Sequence, residues 1–412
     1  MLIKESVRLL PPAVFDTWEG NTCVDATLVK AWGKRGHPKA RRGRDNSADR
    51  MSPEAIAGDY VRTNPETGKA EREFGYEAHL AVMTENLDSG TIFPRLIRAM
   101  TFDRPAQSPG GNATMLLKTL RDREEPARVF AGDRAYTPGC KPINLQLPAR
   151  AMGYLIVCDY RDDQLGIQAE YGGAILVEGR FYCPSMPQAL IDASIDYRAD
   201  RITEKVHQAR IDQRARYAFR RKQAPSAQGN TVWMCPARGP GATASCALAA
   251  TGTPINLGMP TLRGLTPVRR PPEHPDVCCT NTTSITIPIA PTSDDNANIA
   301  KYFQDFAYQS AEWKAAYQPA RSTIEGYNGY VKTPTEEDLE QPARRRIRGY
   351  AFQAFATALI VMAANIRKID SWVRNRDNTP LPTPTRARRR NASPDLADHL
   401  PPENGPPLAI PA

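Results

Sequence analysis

The chain has 412 residues, of which 41% are hydrophobic and 24% charged, and a net charge of +9. This length and composition describe a soluble globular protein that can form two or three structural units. The longest apolar run, residues 354–364, is too short to span a bilayer, and no N-terminal signal pattern is present. We therefore expect a cytoplasmic protein without a membrane partner.

Positive charge is concentrated in four arginine- and lysine-rich stretches, at residues 34–44, 214–222, 343–348 and 386–390. Basic clusters favour a polyanionic partner such as nucleic acid. A GC-rich genome would also enrich a chain in arginine, so charge serves only as supporting evidence. The eight cysteines, in the absence of a secretion signal, do not indicate a disulfide scaffold.

The first predicted element is a strand, because apolar and polar positions alternate over residues 21–30, with Asp25 pointing to one side. Residues 33–72 are rich in Arg, Gly, Asn and Pro and are predicted to form a long basic loop. Two further strands, at residues 74–83 and 91–100, are separated by turn residues. They predict a hairpin.

A helix and a strand follow the hairpin. Residues 113–123 have helical composition, and residues 127–133 have the pattern of a short buried strand that ends in Asp133. In a mixed sheet covered by helices, a strand reached through a helical crossover pairs parallel to an earlier strand. The sequence therefore predicts that Asp25 and Asp133 lie on adjacent strands.

The composition changes twice in the second half of the chain. Strands are predicted within residues 153–159 and 166–183, and residues 187–221 form a charged helical region. Residues 224–291 are rich in Pro, Gly and Thr, contain four cysteines, and are predicted to form an inserted subdomain. The predicted organisation is a lead at 1–12, a core in two parts at 13–223 and 292–374, the insertion at 224–291 between them, and a disordered, basic, Pro-rich tail at 375–412.

Helical patterns return at residues 298–317, 321–334 and 343–374. The last of these helices carries an apolar stripe at helical spacing, which we expect to face the core. The stripe consists of Tyr350, Ala354, Phe355, Leu359, Ile360, Ala363, Ile366 and Ile369.

The stretch from Tyr317 to Lys332 spaces Arg321, Glu325 and Lys332 as R-x3-E-x6-K. On a helix these three side chains would project from roughly one face, with one carboxylate between two cations. This arrangement suits a metal-binding acid flanked by phosphate-binding groups. A solvated face with an i,i+4 ion pair is the alternative on spacing alone.

Together with the two aspartates, this stretch resembles the DDE transposases of bacterial insertion sequences, in the branch with a Tyr, Arg, Glu, Lys signature. Residues 24–27, Val-Asp-Ala-Thr, resemble the first conserved block, and residues 132–136, Gly-Asp-Arg-Ala-Tyr, resemble the second. Residues 321–332 supply the third, and residues 74–80 resemble the second strand of the family. The resemblance covers roughly residues 13–372.

The resemblance implies an α/β fold with an RNase H-like mixed sheet flanked by helices. It also implies that Asp25, Asp133 and Glu325 are catalytic and hold two Mg2+ or Mn2+ ions. Arg134, Tyr317, Arg321 and Lys332 would contact DNA. The expected partners are double-stranded DNA, as transposon ends and target, and further copies of the chain in a homo-oligomer.

The third block departs from the family pattern in one respect, since three residues rather than two separate Tyr317 from Arg321. We expect Pro319 to begin the helix, which would leave Tyr317 just outside it. Asp25 also falls close to the start, with little room for an N-terminal DNA-binding region, so a truncated reading frame is an open alternative. Such a remnant would act only as a basic DNA-binding protein.

Two other clusters of side chains suggest a site. Asp159, Asp162 and Asp163 form a second acidic group, which we interpret as a solvated turn compensated by Arg161 and Arg201. Four cysteines of the insertion invite a structural Zn2+ hypothesis, although their spacing is poor and His274 would have to replace one of them. They are Cys235, Cys246, Cys278 and Cys279, and small buried thiols are the alternative.

Overall fold

The computed structural model describes residues 2–33, 56–63, 67–87, 93–226, 230–239, 241–246, 266–268, 284–287 and 294–376. The chain divides into two compact units. Unit 1 comprises Met1–Tyr136, Met152–Tyr154 and Gln318–Pro384, and unit 2 comprises Thr137–Ala151, Leu155–Tyr317 and Thr385–Ala412, each as far as it is described.

Unit 1 contains a mixed sheet flanked by helices. Its strands are β1 (Thr22–Lys30), β2 (Gly58–Thr63), β3 (Ala70–Met83), β4 (Ile97–Asp103) and β5 (Val129–Gly132). Its helices are α1 (Leu2–Val7), α2 (Pro12–Phe15), α3 (Pro109–Arg121) and, from the end of the described chain, α10 (Tyr350–Arg376). Helix α9 (Ala311–Tyr330) begins in unit 2 and enters unit 1 after Tyr317.

Strand β3 is the longest strand in the described chain and organises this sheet. It pairs antiparallel with β1 on one side, while on the other side its first half pairs with β2 and its second half with β4. Strand β1 pairs on its far side with β5, and this pairing is parallel. The predicted β3–β4 hairpin and the predicted parallel pairing of β1 with β5 are both confirmed, and the sheet is mixed as expected.

The helices of unit 1 pack onto this sheet. Helix α3 contacts β3 and β4, and α10 contacts α1 and β4. Asn365 joins three elements: its side chain exchanges hydrogen bonds with both backbone groups of Ile97 in β4 and donates to Ser6 in α1, at 2.9 to 3.0 Å. Tyr327 of α9 donates its hydroxyl hydrogen to the same amide oxygen at 2.5 Å. This buried network fixes α9 within unit 1.

Unit 2 has its own apolar core. Its strands are β6 (Leu155–Val157), β7 (Ile167–Tyr171), β8 (Ala174–Val177), β9 (Arg180–Tyr182), β10 (Arg220–Arg221), β11 (Thr231–Met234), β12 (Ala244–Cys246), β13 (Thr266–Val268) and β14 (Ser284–Ile287). Its helices are α4 (Gln146–Ala151), α5 (Gln188–Ile191), α6 (Ala193–Arg198), α7 (Glu204–Arg214), α8 (Asp294–Tyr302) and the first part of α9. Side chains of β8 and β9 pack with Trp233, Ile287 and Phe303 in this core.

Three expectations about elements are wrong. Strand β2 and the start of β3 lie within residues 33–72, which were predicted to form a continuous loop. Pro319 does not begin a helix but lies inside α9, eight residues after its start. Helix α9 ends at Tyr330, so Lys332 lies in the turn that follows and not on the helical face of Glu325.

The predicted core stripe of the last helix is also wrong for most of its members. Only Ile369 of that set is buried, whereas Phe355, Leu359 and Ile366 are 56%, 37% and 41% exposed. The face that packs inward carries hydrogen-bonded polar residues among small apolar ones: Gln353, Thr357, Val361, Ala364, Asn365 and Ile369. Periodicity alone could not find this face, because polar side chains with internal partners can replace apolar ones in a core.

Helix α10 is also long and apolar enough to cross a bilayer, and it is the one such helix in the described part of the chain. A third of its most apolar window is buried inside the protein. The contacts of its inner face with α1 and β4 are those of a helix that belongs to a folded core.

Candidate active site

The site begins where the parallel pairing of β1 with β5 stops. Val24 of β1 is in register with Gly132, the last residue of β5, so that Asp25 is the next residue of β1 and Asp133 directly follows β5. The buried side chain of Asn21 accepts a hydrogen bond from the backbone N–H of Val129 at 3.1 Å, which holds the two strands in this register. The carboxyl end of β5 lies beside Asp25 at one edge of this pairing, and ligand sites commonly form at the carboxyl ends of parallel strands.

Helix α9 brings three further polar side chains to this edge. Arg321, Glu325 and Asn328 follow one another at intervals of four and three residues, which places them on one face of the helix. Asn328 Nδ2 donates a hydrogen bond to Asp25 Oδ2 at 2.9 Å. This bond joins residues 303 positions apart in the chain and ties the helix to β1.

Arg321 lies between two of the carboxylates. Its guanidinium group is 2.8 Å from Glu325 Oε1 and 3.6 Å from Asp133 Oδ1. All three side chains are about half exposed. The i,i+4 ion pair expected from spacing is therefore present, but it also reaches the second aspartate. One cation thus holds two of the three predicted catalytic carboxylates together.

The pKa of Asp25 is raised from 3.8 to about 6. Burial is the largest cause, because it disfavours the charged form, and the neighbouring charges of Asp133 and Glu325 raise the pKa further. The hydrogen bond from the Ala26 N–H, at 2.8 Å, and the positive charge of Arg321 act in the opposite direction. Both other carboxylates therefore lie close enough to Asp25 to repel its negative charge, and an added cation would stabilise the three together.

The donor set has the chemistry that Mg2+ or Mn2+ requires, since carboxylate and carbonyl oxygens are their preferred ligands. Asn328 Oδ1 is buried and has no hydrogen-bond partner, although it belongs to the amide that holds Asp25. Among the described residues, however, no three His, Cys, Asp or Glu side chains converge closely enough to hold a metal ion. Arg321 instead supplies the positive charge between Asp133 and Glu325.

The four residues that were predicted to contact DNA have different surroundings. Arg134 follows Asp133 directly, is half-buried, and donates its backbone N–H to Asp133 Oδ1 at 2.7 Å. Lys332 Nζ lies 3.3 Å from Glu340 Oε1. In unit 2, Tyr317 is buried with its ring stacked on Trp313, the ring centroids being 4.6 Å apart. Of the four predicted contacts, Arg321 and Arg134 adjoin the carboxylates.

Sequence reasoning missed Asn328 and Glu77, and it interpreted His79 as a packed or surface histidine. Glu77 has a raised pKa, mainly because it is buried and also because Asp25 and Asp103 are near. The His79 ring is buried, which lowers its pKa to about 4, and its Nδ1 lies 2.6 Å from the Tyr136 hydroxyl. Asn328 could have been found, because it lies three residues after Glu325 on the same helical face.

The second acidic cluster lies in unit 2 and is held by other partners than expected. Asp159 accepts hydrogen bonds from the Tyr308 hydroxyl at 2.5 Å and from Arg198 at 3.3 Å. Arg198 also pairs with Asp162, whereas Arg201 pairs with Asp196. Asp162 and Asp163 are exposed, in agreement with a solvated turn. The residues of the zinc hypothesis are only partly described: Cys235 is buried, Cys246 is half-buried, and Cys278, Cys279 and His274 lie outside the described residues.

We compared the chain with models of protein families, with curated proteins and with solved structures. None of the three comparisons gave a match.

Proposed function

We propose that this chain is a DDE-type DNA transposase, which hydrolyses phosphodiester bonds at transposon ends and transfers the 3′ ends to target DNA. The observation that carries the proposal is the convergence of the three sequence blocks. Asp25 lies in β1 at the point where its parallel pairing with β5 stops, Asp133 directly follows β5, and α9 brings Glu325 and Arg321 to the same edge through the bond from Asn328 to Asp25. An RNase H-like arrangement of the sheet is part of the same proposal.

In this proposal Asp25, Asp133 and Glu325 hold two Mg2+ or Mn2+ ions. When bound, such ions activate the attacking water or 3′-hydroxyl and neutralise charge on the leaving oxygen. Asn328 orients the Asp25 carboxylate through its hydrogen bond. Strand β1, the end of β5 and helix α9 hold the three carboxylates at fixed positions, which is what an in-line displacement needs.

Arg321, Arg134 and Lys332 are the proposed contacts to DNA. A guanidinium group can bind two phosphate oxygens at once, and a lysine ammonium supplies a more flexible charge. Arg321 already spans Asp133 and Glu325, so we expect divalent cations and this side chain to compete for the same oxygens. Tyr317 could reach DNA only if its ring left Trp313, and it is the least supported of the four contacts.

The experiment combines binding and cleavage. Mn2+ binding to the purified chain is measured by calorimetry, and cleavage of a labelled duplex that carries the ends of the surrounding element is measured in Mg2+ or Mn2+. Wild type is compared with Glu325→Gln, and with Glu312→Gln as a control on the same helix. We expect Glu325→Gln to lose cleavage by at least about 100-fold and to bind Mn2+ more weakly. The control should behave as wild type.

Equal cleavage by wild type and Glu325→Gln would defeat the proposed role of this carboxylate. An alternative is a remnant that binds DNA through its net charge of +9 without catalysis. It would bind the duplex but show neither cleavage nor Mn2+ binding that depends on Glu325. A structure-specific nuclease, in contrast, would cleave without transferring strands.

A further inference from the structure

Tyr136 is a buried tyrosine that lies three residues after Asp133. Its hydroxyl oxygen is 2.6 Å from Nδ1 of His79, which is buried in β3. The two rings meet edge to face, with their centroids 5.8 Å apart. Neither polar group has ready access to water, so each depends on the other for its hydrogen bond. This pair therefore connects the chain just after Asp133 to the longest strand of the sheet.

The direction of this hydrogen bond follows from the surroundings of the His79 ring. Burial lowers the pKa of the ring to about 4, so the ring is neutral at physiological pH and one of its nitrogens is an acceptor. Nε2 has no hydrogen-bond partner and lies 3.6 Å from Glu77 Oε2. A hydrogen on Nε2 is favoured beside a carboxyl oxygen, whereas a lone pair there is disfavoured. Nδ1 is therefore the acceptor, and the Tyr136 hydroxyl donates.

Asp133 lies between two fixed points of the chain. On its N-terminal side, Gly132 pairs with Val24 of β1. On its C-terminal side, the Tyr136 N–H donates to the Asp133 carbonyl oxygen at 2.9 Å, which closes a four-residue turn. Tyr136 also packs closely against the end of β5, since a Cβ atom on Gly132 would lie 3.2 Å from Tyr136 Cβ. The turn that carries Asp133 cannot swing away from β5 while Tyr136 stays bonded to His79.

The same part of β3 also sets the position of Asp25. Strand β1 pairs with β3 along its whole length, and Asp25 is in register with Leu80, the residue after His79. Two consecutive residues of β3 are therefore connected to the two aspartates. Leu80 is connected to Asp25 through the backbone pairing, and His79 is connected to the turn of Asp133 through the side-chain bond to Tyr136. Movement of one aspartate relative to the other would strain this bond.

We propose that Tyr136 and His79 are positioning residues, which hold the turn of Asp133 in place relative to Asp25. The inference rests on the proposed function, in which both aspartates are ligands of the divalent cations. Such a site works only when its ligands stay within about 0.5 Å of the productive geometry, and side chains behind the ligands provide this precision. Tyr136 and His79 act through the backbone of Asp133 and not on the DNA.

The first experiment measures kcat and KM for cleavage of the labelled duplex in Mn2+. Tyr136→Phe removes only the hydroxyl group and should lower kcat by at least about tenfold at unchanged KM, because Asp133 is misplaced while DNA binding is not affected. His79→Asn keeps an acceptor near the place of Nδ1 and should stay within about threefold of wild type. Tyr350→Phe is the matched control, since it removes a hydroxyl hydrogen bond to the Phe102 carbonyl in the same unit. It should leave both constants unchanged.

The second experiment does not depend on activity. Hydrogen exchange, followed by mass spectrometry, reports how firmly the backbone amides of residues 134–136 are held. In Tyr136→Phe these amides should exchange about 3- to 10-fold faster, as expected for the loss of one buried hydrogen bond, and in Tyr350→Phe they should not.

Unchanged exchange or an unchanged kcat in Tyr136→Phe, or an equal loss of kcat in Tyr350→Phe, would overturn the proposal. A wild type that neither cleaves DNA nor binds Mn2+ would instead defeat the proposed function. The exchange rates would then still decide whether Tyr136 and His79 hold the turn of Asp133.

Discussion

Asp25 occupies an environment that costs stability at neutral pH. Its carboxylate is largely removed from water, has two other carboxylates nearby, and receives hydrogen bonds from the Ala26 N–H and the Asn328 amide. Folded proteins avoid such clusters of like charge unless a function requires them. Asp25 is therefore the residue at which the proposed cation binding and the stability of the fold can be measured together.

Replacement of Asp25 by Asn should stabilise the protein above pH 7. The folded chain keeps a proton on Asp25 up to about pH 6, whereas the unfolded chain releases it near pH 3.8. The native state therefore binds more protons over this interval, and the contribution of Asp25 to the free energy of unfolding falls as pH rises from about 4 to 6. Asp25→Asn should gain about 2 kcal/mol at pH 8 and little near pH 4.

Urea unfolding at both pH values measures this difference, with the exposed Asp163→Asn as the control. Addition of Mn2+ at pH 8 should stabilise wild type more than Asp25→Asn, because a bound cation removes the repulsion that the mutation removes. A wild type that is more stable than Asp25→Asn at pH 8 without Mn2+ would contradict the assigned environment of this carboxylate.

Asn328 provides a second test at this scale. If it orients Asp25 for cation binding, Asn328→Ala should weaken Mn2+ binding by about tenfold, as is usual when a partner of a metal ligand is removed. Calorimetry measures this affinity without reference to cleavage. Gln318→Ala, an exposed amide on the same helix, should bind Mn2+ as wild type does. If Asn328→Ala binds Mn2+ as tightly as Gln318→Ala does, Asn328 has a purely structural role.

At the scale of single elements, two glycines differ in the space that is available for a side chain. Gly75 in β3 lies against β1 so closely that a Cβ atom there would stand 2.3 Å from the Val29 carbonyl oxygen. Gly326 in α9 faces open space, with no heavy atom within 4 Å of the position that an alanine methyl group would take. The first glycine permits the close approach of two strands, whereas the second has no packing reason among the described residues.

We expect Gly75→Ala to lower the free energy of unfolding by about 2 to 3 kcal/mol, because the backbone of β1 must move. Gly326→Ala should raise it by about 0.5 to 1 kcal/mol, since alanine favours a helix. Chemical denaturation of both variants measures these changes. Equal effects of the two substitutions would show that the β1–β3 approach is looser than described.

The sequence predicted those elements whose signals are local and consistent. Strand β1, the β3–β4 hairpin and the parallel return to β5 follow from alternation, turn residues and the crossover rule. Helix α9 was predicted in two pieces, as the end of a helix at 298–317 and as a helix at 321–334, whereas one helix runs from Ala311 to Tyr330. Proline usually marks a helix start, but α9 begins eight residues earlier, at Ala311. Side-chain hydrogen bonds stabilise this first turn: Ser310 donates to Glu312, and the indole N–H of Trp313 donates to Cys158 and Gln304.

Those parts of the candidate site that have local sequence signals could also be predicted. Asp25, Asp133 and Glu325 were identified from their flanking residues, and the structure brings Arg321 between the last two. Lys332 was expected beside them, but the helix stops at Tyr330. Asn328 was not expected, although it shares the helical face of Glu325, because an asparagine within a helix usually faces water.

At the scale of the whole molecule, the net charge of +9 should dominate any binding to DNA. Affinity should fall linearly with the logarithm of salt concentration, with a slope of about −0.9 for each phosphate neutralised. The arginine run at residues 386–390 lies outside the described residues and is predicted from the sequence to act as a loose anchor. Its contribution can therefore be separated from that of the site.

Replacement of the four arginines of this run by glutamine should make the slope shallower by up to about 4, while the same four changed to lysine should leave it nearly unchanged. Fluorescence anisotropy with a labelled duplex at several salt concentrations measures both. If the glutamine variant retains the wild-type slope, the run takes no part in binding, and the charge must act elsewhere on the chain.

The hydrogen bond between Asn328 and Asp25 spans 303 residues, and this separation has a consequence for synthesis. A ribosome releases the chain from its N-terminus, so Asp25 and Asp133 emerge long before α9. During that interval the two aspartates have neither Arg321 nor Asn328 beside them. Fragments that stop before residue 311 can never assemble the third carboxylate. Translation that is interrupted before the end of α9 therefore yields products that lack the complete site, and any activity that depends on it appears only when a chain has been made almost to its last described helix.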